Sequence, residues 1–195
     1  MESEIKGLSL RNFPITLADI RGEEVAARML DSLPDELSRG LKEGTIVRGG
    51  WYPVAWKREL HRAACRVTGE PGLARTMGHE MTERDLKGIY RAFVRVVSPR
   101  FVLSLGAKIF GTYFRPGSFE VVERRRGFTR VEFRKCYGFD ENIWRDVAGG
   151  CEATLEIAGA KSVRFHVEAG GLDGDHAMTA VAWWADEPIT AERRP

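Results

Sequence analysis

The chain has little that commits it to a known chemistry. Only three of its 195 residues are cysteine, and Cys65, Cys136 and Cys151 are widely spaced with no C-x-x-C pair. An odd, scattered set indicates neither a disulfide framework nor a zinc finger, and it reads as reduced thiols in a cytoplasmic protein. Charge of one sign is also missing. Thirty Lys and Arg stand against 28 Asp and Glu, a net charge of +2, too near balance for a dedicated nucleic-acid binder. Long hydrophobic runs are absent as well. The most apolar segment, "FVLSLGAKIFGTYF" at 101–114, is shorter than a membrane span and contains Lys108, so no membrane span is expected and the segment reads as a buried or groove-lining helix. The beginning, "MESEIKGLSL", has no apolar stretch of the secretory kind. No G-x-S-x-G elbow, phosphate loop or dinucleotide fingerprint occurs, which leaves nucleophilic catalysis without a candidate. "HEMTE" at 79–83 lacks the second histidine of the helical zinc-protease motif, Glu83 standing in its place.

Hydrophobic residues make up 43% of the chain, enough for one compact domain over 1–195 with polar, fraying ends at roughly 1–12 and 186–195. The first half, about 15–114, has helical punctuation. Thr16 can cap a helix through "LADIRGEEVAARMLDSL", Pro34 opens a second, and Pro53 suits the first turn of a third that Gly69 stops. A fourth runs through 72–97, and Ser98-Pro99 breaks it before the 101–114 segment. The period changes to two over about 117–185. "SFEVVER" and "FTRVEFR" alternate around the turn at 125–127, and "SVRFHVE" and "HAMTAVAWW" alternate around "GGLDGD". Between them a helix from the N-cap Asp140 to about Ala158 carries Ile143, Val147, Cys151 and Thr154 on one face. The expectation is an α+β fold in which a helical N-terminal half packs on a four-stranded antiparallel sheet built as hairpin, helix, hairpin.

Several residue groups admit a chemical reading beside a plain one. His61 and Cys65 are four apart on one helix and so share a side where metal ligands can converge, but no further ligand lies nearby in sequence. Asp173, Asp175 and His176 can hold a cation or simply shape a tight turn, and Asp-Gly is a turn signal in its own right. Arg124, Arg125 and Arg126 can meet phosphates, yet Glu120, Glu123 and Glu132 interleave with the basic residues as in a solvated cross-strand ladder. Aromatic density in the helical half is the more unusual feature. Trp51, Tyr52, Trp56, Tyr90 and Tyr113 combine large apolar area with polar tips, a mixture that suits a mostly apolar ligand pocket as well as a solid core.

The succession "GGWYPVAWKREL", "GIYRAFVRVVSPRFVLSLGAKIFGTYFRPGSFEVV" and "GGCEATLEIAGAKSVRFHVEAGGLDGDHAMTAVAW" resembles a family of short proteins known mainly from myxobacteria and their relatives. More distantly, the hairpin–helix–hairpin ending and its close at Gly174, Asp175, Val181 and Trp183 are similar to the 4-vinyl reductase-like sensory domains and to the haem nitric-oxide-binding and Golgi-transport superfamily. That resemblance implies an α+β fold enclosing an apolar pocket for a small molecule or lipid, often within a dimer. The cysteines that many vinyl-reductase-like domains place at the last hairpin are missing, Asp175, His176 and Ala177 being followed by Met178. The tyrosine-serine-arginine signature of the haem-binding relatives is missing too, and no histidine stands in a recognisable proximal-ligand context. Neither zinc nor haem carries over, so no cofactor and no metal are expected.

The reading that results is a non-catalytic module, binding a small apolar or aromatic ligand or sensing it, with Trp51, Tyr52, Trp56, Tyr90 and Tyr113 at the pocket and a homodimer or protein partner to receive the signal. The alternative is an interaction or regulatory protein with a solid core. An enzyme using His61, His79 or His176 as acid or base comes third.

Overall fold

The computed structural model describes residues 2–89 and 98–185, with the backbone alone described at 87–89. Residues 2–12 do not fray. Glu4–Lys6 form strand β1 in the middle of a small antiparallel sheet, between β2 (Trp51–Pro53) and β3 (Phe114–Arg115). Ile5 of β1 is fully buried, and this burial ties the end down. Helix α1 (Gly7–Arg21) follows at once, its first amides bonded to the carbonyls of Gly50 and Arg48. Those backbone partners do the work of a capping side chain. Thr16, expected as a cap, therefore sits buried inside α1. The helix expected after it is split at Gly22, whose φ of 94° and ψ of 155° suit glycine alone. Helix α2 (Glu23–Asp31) begins there, and α3 (Asp35–Lys42) follows from Pro34.

Helix α4 (Val54–Thr68) stops at Gly69 in the left-handed conformation, and α5 spans Leu73–Ile89. The end of the long helix expected over 72–97 lies outside the described residues. Ser98 caps α6 (Pro99–Ser104) by accepting from the Phe101 amide, and α7 (Gly106–Tyr113) completes the apolar 101–114 segment as a second short helix running into β3.

The four-stranded antiparallel sheet has the order β4 (Ser118–Arg125), β5 (Phe128–Arg134), β7 (Met178–Ala185), β6 (Lys161–Gly170). Helix α8 (Glu141–Ile157) links the two hairpins, and the Asp140 carboxylate accepts from the Ile143 amide at its start. Phe133, Phe165, Ala180 and Ala182 turn toward α8 and are buried. The other face of the sheet carries the charge ladder, with Arg130 bonded to Glu168 and Arg125 to Glu123. In the second hairpin turn, the Asp175 carboxylate accepts from the Leu172 amide within the turn, and the Asp173 carboxylate accepts from the Glu141 amide and ties the turn to the start of α8.

Helix α8 lies between the sheet and α5, and it is buried on both sides. Gly78 of α5 faces the Asp146 carbonyl and Gly149 of α8 faces the Arg75 carbonyl so closely that a Cβ at either would overlap the facing backbone. This close crossing sets where the polar side chains of α5 and α8 come to rest. Among the described residues no helix is long and apolar enough to cross a membrane.

Candidate functional site

A cavity of about 120 Å³ lies between the helices and the inner face of the sheet. Its walls are mostly rings and aliphatic groups: Phe110 from α7, Phe119 from β4, Phe133 from β5, Phe165 from β6, and Val147 and Leu155 from α8. The rings hold one another in place. Phe133 meets Phe110 and Phe119 edge-on at 5.3 and 5.1 Å between ring centres, and Phe110 stacks on Phe114 at 5.2 Å. Such a lining gives water few partners.

One end of the cavity is polar. Lys57, fully buried on α4, points its ammonium at a set of groups from three other helices. Its Nζ is 3.3 Å from Asp146 Oδ1, donates to Ser9 Oγ at 3.3 Å and to Met81 Sδ at 3.6 Å, and stands 4.9 Å from the centre of the Phe13 ring. Asp85 of α5 is buried as well. Its two oxygens accept from Asn12 Nδ2 at 2.6 Å and from the Tyr113 hydroxyl at 2.9 Å.

Behind Lys57, one turn along α4, His61 is enclosed without lining the cavity. Its ring meets Phe13 edge-on at 4.9 Å, and Nε2 stands 3.4 Å from Asp146 Oδ1, an electrostatic contact rather than a well-formed hydrogen bond.

Burial and neighbours separate the protonation states of these groups. Burial lowers the pKa of His61, and Lys57 adds to this against the opposing pull of Asp146, so the imidazole is held neutral. Burial alone would raise Asp146, but the charge of Lys57 and the contact with His61 outweigh it and keep the carboxyl below its ordinary value. For Asp85 the balance goes the other way. Burial raises it despite the bonds from Tyr113 and Asn12 and the more distant charges of Lys57 and Arg48. Cys151, also on the wall, is pushed up to about 12 by burial and stays a thiol.

Of the rings expected at a pocket, Tyr113 lines this cavity. Trp51, Tyr52 and Trp56 are not among the residues that line it and gather at the small sheet instead. Lys6 and Arg115 each stand 4.3 Å from the Trp51 ring, and Tyr52 stacks on Trp56 at 5.3 Å while its hydroxyl accepts from the Val47 amide. Tyr90 lies outside the described residues.

His79, read as part of a solvated face, clasps α5 to α8, with Nε2 2.8 Å from Glu156 and Nδ1 3.3 Å from Glu80. Cys65 is half-buried, and among the described residues no group of three or more His, Cys, Asp or Glu is placed to hold a metal ion. The residues that sequence reasoning missed are Lys57, Asp85 and Asp146. Their one signal was a charged residue at helical spacing among apolar ones, as Lys57 is among Val54, Leu60 and Ala64.

No protein-family model and no curated protein matches the chain. Solved structures do. An H-NOX protein from K. algicida, Fe(II) unliganded, is 14% identical with a TM-score of 0.67, covering 93% of this chain and 97% of that one. An H-NOX protein from S. oneidensis in the Fe(II)NO ligation state is 8% identical with a TM-score of 0.70, covering 93% and 99%. A structure that probes haem distortion in the H-NOX family is 13% identical with a TM-score of 0.66, covering 97% and 100%. The likeness spans nearly the full length of both chains, and at these identities it shows the fold.

Proposed function

We propose that the chain is a non-catalytic ligand-binding module that takes a small, mostly apolar molecule into the cavity between α5, α7, α8 and the sheet. The observation that carries this reading is the cavity itself, walled by aromatic rings and closed at one end by Lys57, Asp85 and Tyr113. An apolar space with a few converging polar groups is the usual form of a small-molecule site. Its volume is near that of a dry cavity of roughly 150 Å³ that admits benzene or xenon. The similarity to H-NOX proteins supports a sensory role. A guest that fits one arrangement of α5 and α7 better than another shifts the population toward it, and a partner protein or second copy reads the change.

Haem, which the H-NOX neighbours imply, does not fit the residues present. None of the chain's four histidines lines the cavity. His61 is shut away against Phe13 and Asp146, and His79 is held by Glu156. The other candidate ligands on the wall are committed elsewhere. Met81 accepts from Lys57, Tyr113 donates to Asp85, and the Cys151 thiol keeps its proton. The cavity also falls short of the roughly 300–1,000 Å³ of ordinary cofactor pockets. The ligand is therefore read as a small molecule received directly by side chains.

The test is a panel of benzene-sized compounds followed by tryptophan emission and melting temperature, with Trp144 as reporter because its ring lies 6.2 Å from that of Phe133 on the cavity wall. A guest at a hundred times its Kd should add about 2.7 kcal/mol, which raises the Tm of a chain this size by on the order of 5–10 °C. Ala182→Leu, which fills the cavity from β7, should abolish the response. A panel without effect, or a response that survives Ala182→Leu, refutes the reading.

A further inference from the structure

Among the described residues, the polar end of the cavity is lined by two carboxyls and one ammonium. With both carboxyls ionised, Asp85 and Asp146 carry two negative charges against the one positive charge of Lys57, while His61 is held neutral and Arg48 acts on Asp85 from outside the lining. Lys57 is taken up by Asp146, with Ser9 and Met81 as its other contacts. Asp85 is then left with neutral donors only, Asn12 and Tyr113, and among the described residues no cation stands within ion-pair distance of it. A carboxylate buried without a countercharge is expensive. It faces a space walled largely by aromatic rings, and a ring attracts a cation placed over its face.

We propose that the cavity selects a small apolar cation, an alkylammonium or cyclic ammonium, whose charge is taken by Asp85 while its hydrocarbon part lies among Phe110, Phe114, Phe119 and Phe133. This rests on the cavity being the ligand site and adds the class of ligand. The ammonium supplies the missing countercharge and donates to the carboxylate, and Lys57 does not oppose it strongly because Asp146 neutralises Lys57 at 3.3 Å. An anionic ligand would meet the Asp85 carboxylate as a like charge and is not expected to bind. The groups facing Asp85 are Lys57 from α4, Tyr113 from α7, Asn12 from α1, Asp146 across the same end, and Arg48 from the loop before β2. Among them Asp85 is the carboxyl whose proton uptake burial moves upward in pH, whereas Lys57 and His61 hold Asp146 below its ordinary value.

The experiment compares pyrrolidine, protonated over the whole range used, with its neutral ring analogue cyclopentane, by ligand-observed NMR titration of the full chain. Pyrrolidinium should bind roughly ten-fold or more tightly at pH 7.5, the worth of one charge-assisted hydrogen bond. Its affinity should fall toward that of cyclopentane as the pH drops through the Asp85 titration, while cyclopentane stays level. In Asp85→Asn, pyrrolidinium should lose that advantage and cyclopentane should change little. Cyclopentane binding as well as pyrrolidinium, or a pyrrolidinium affinity indifferent to pH and to Asp85→Asn, overturns the proposal while leaving the cavity as the site. If neither compound binds, the cavity reading falls and this proposal with it. The pH series on the unaltered chain decides the matter even if Asp85→Asn fails to fold.

Discussion

Replacing Gly149 by alanine tests the crossing on which the polar end depends. At an exposed helical position the change from glycine to alanine stabilises by about 1 kcal/mol, because alanine loses less backbone freedom on folding. Gly111, on the open side of α7 with nothing within 4 Å of a would-be Cβ, is such a position. Gly149 is not. A Cβ there would lie well inside 3.0 Å of the Arg75 carbonyl, closer than real Cβ atoms come. Helices α5 and α8 must then part by roughly 1 Å, and in a close-packed interior that degree of overpacking costs about 1–3 kcal/mol, with more to follow as facing side chains lose contact. The intrinsic gain of alanine offsets part of this, so with the lost side-chain contacts included the net expectation is a loss of about 1–2 kcal/mol, or a Tm lower by on the order of 2–8 °C. Urea unfolding followed by circular dichroism measures both variants against the original chain. Gly111→Ala should gain stability and Gly149→Ala should lose it. Equal behaviour of the two would mean that α5 and α8 do not cross with their backbones in contact.

Lys57→Met should cost about 3–5 kcal/mol in the same assay, because it strands Asp146 as an unpaired buried charge. Adding Asp146→Leu to it should restore much of that loss, and a double variant no more stable than the single one would show that the pair is not coupled. The two helix-borne histidines should give opposite pH dependences. His61 has a lowered pKa, so its contribution is fully present above the unfolded value of about 6.5 and is lost as the pH falls below it. His79 has a raised pKa, because the bonds to Glu156 and Glu80 outweigh burial, so its contribution is complete below about 6.5 and is lost as the pH rises through the folded value. Stability measured against pH for His61→Asn and His79→Gln checks both signs, and a wild-type difference that moves the same way in both would contradict the contacts described.

The strands of the larger sheet were legible because alternation needs only a few residues and one buried face. Val131 and Phe133 against Arg130 and Glu132 is a pattern that few other structures accommodate. The α8 boundary was legible from Asp140, which bonds within its own turn. The small sheet was not, since strands of two or three residues carry no alternation and are held by partners far along the chain, as Ile5 is by Tyr52 and Phe114. The start of α1 failed for the same reason. Its capping carbonyls belong to Arg48 and Gly50, so the nearest side-chain cap in sequence, Thr16, drew the boundary to the wrong place.

The polar end of the cavity shows where such reading stops and why the stop is informative. Lys and Asp are rarely buried, so each of Lys57, Asp85 and Asp146 reads alone as a surface residue of an amphipathic helix. What reverses this is a partner that the fold supplies. Asn12 reaches Asp85 across 73 positions and Tyr113 across 28, and Lys57 meets Asp146 only because α4 and α8 approach each other. Local preference and global structure thus disagree at three positions. If those disagreements were incidental they would be scattered, each a tolerated cost in a different part of the core. All three fall instead on one end of one apolar cavity. Residues that break the local rule together, at the site where a ligand would meet them, are the expected mark of function. That convergence is why the cavity is proposed as the binding site ahead of the Trp51, Tyr52 and Trp56 group, whose rings are occupied by Lys6, by Arg115 and by each other.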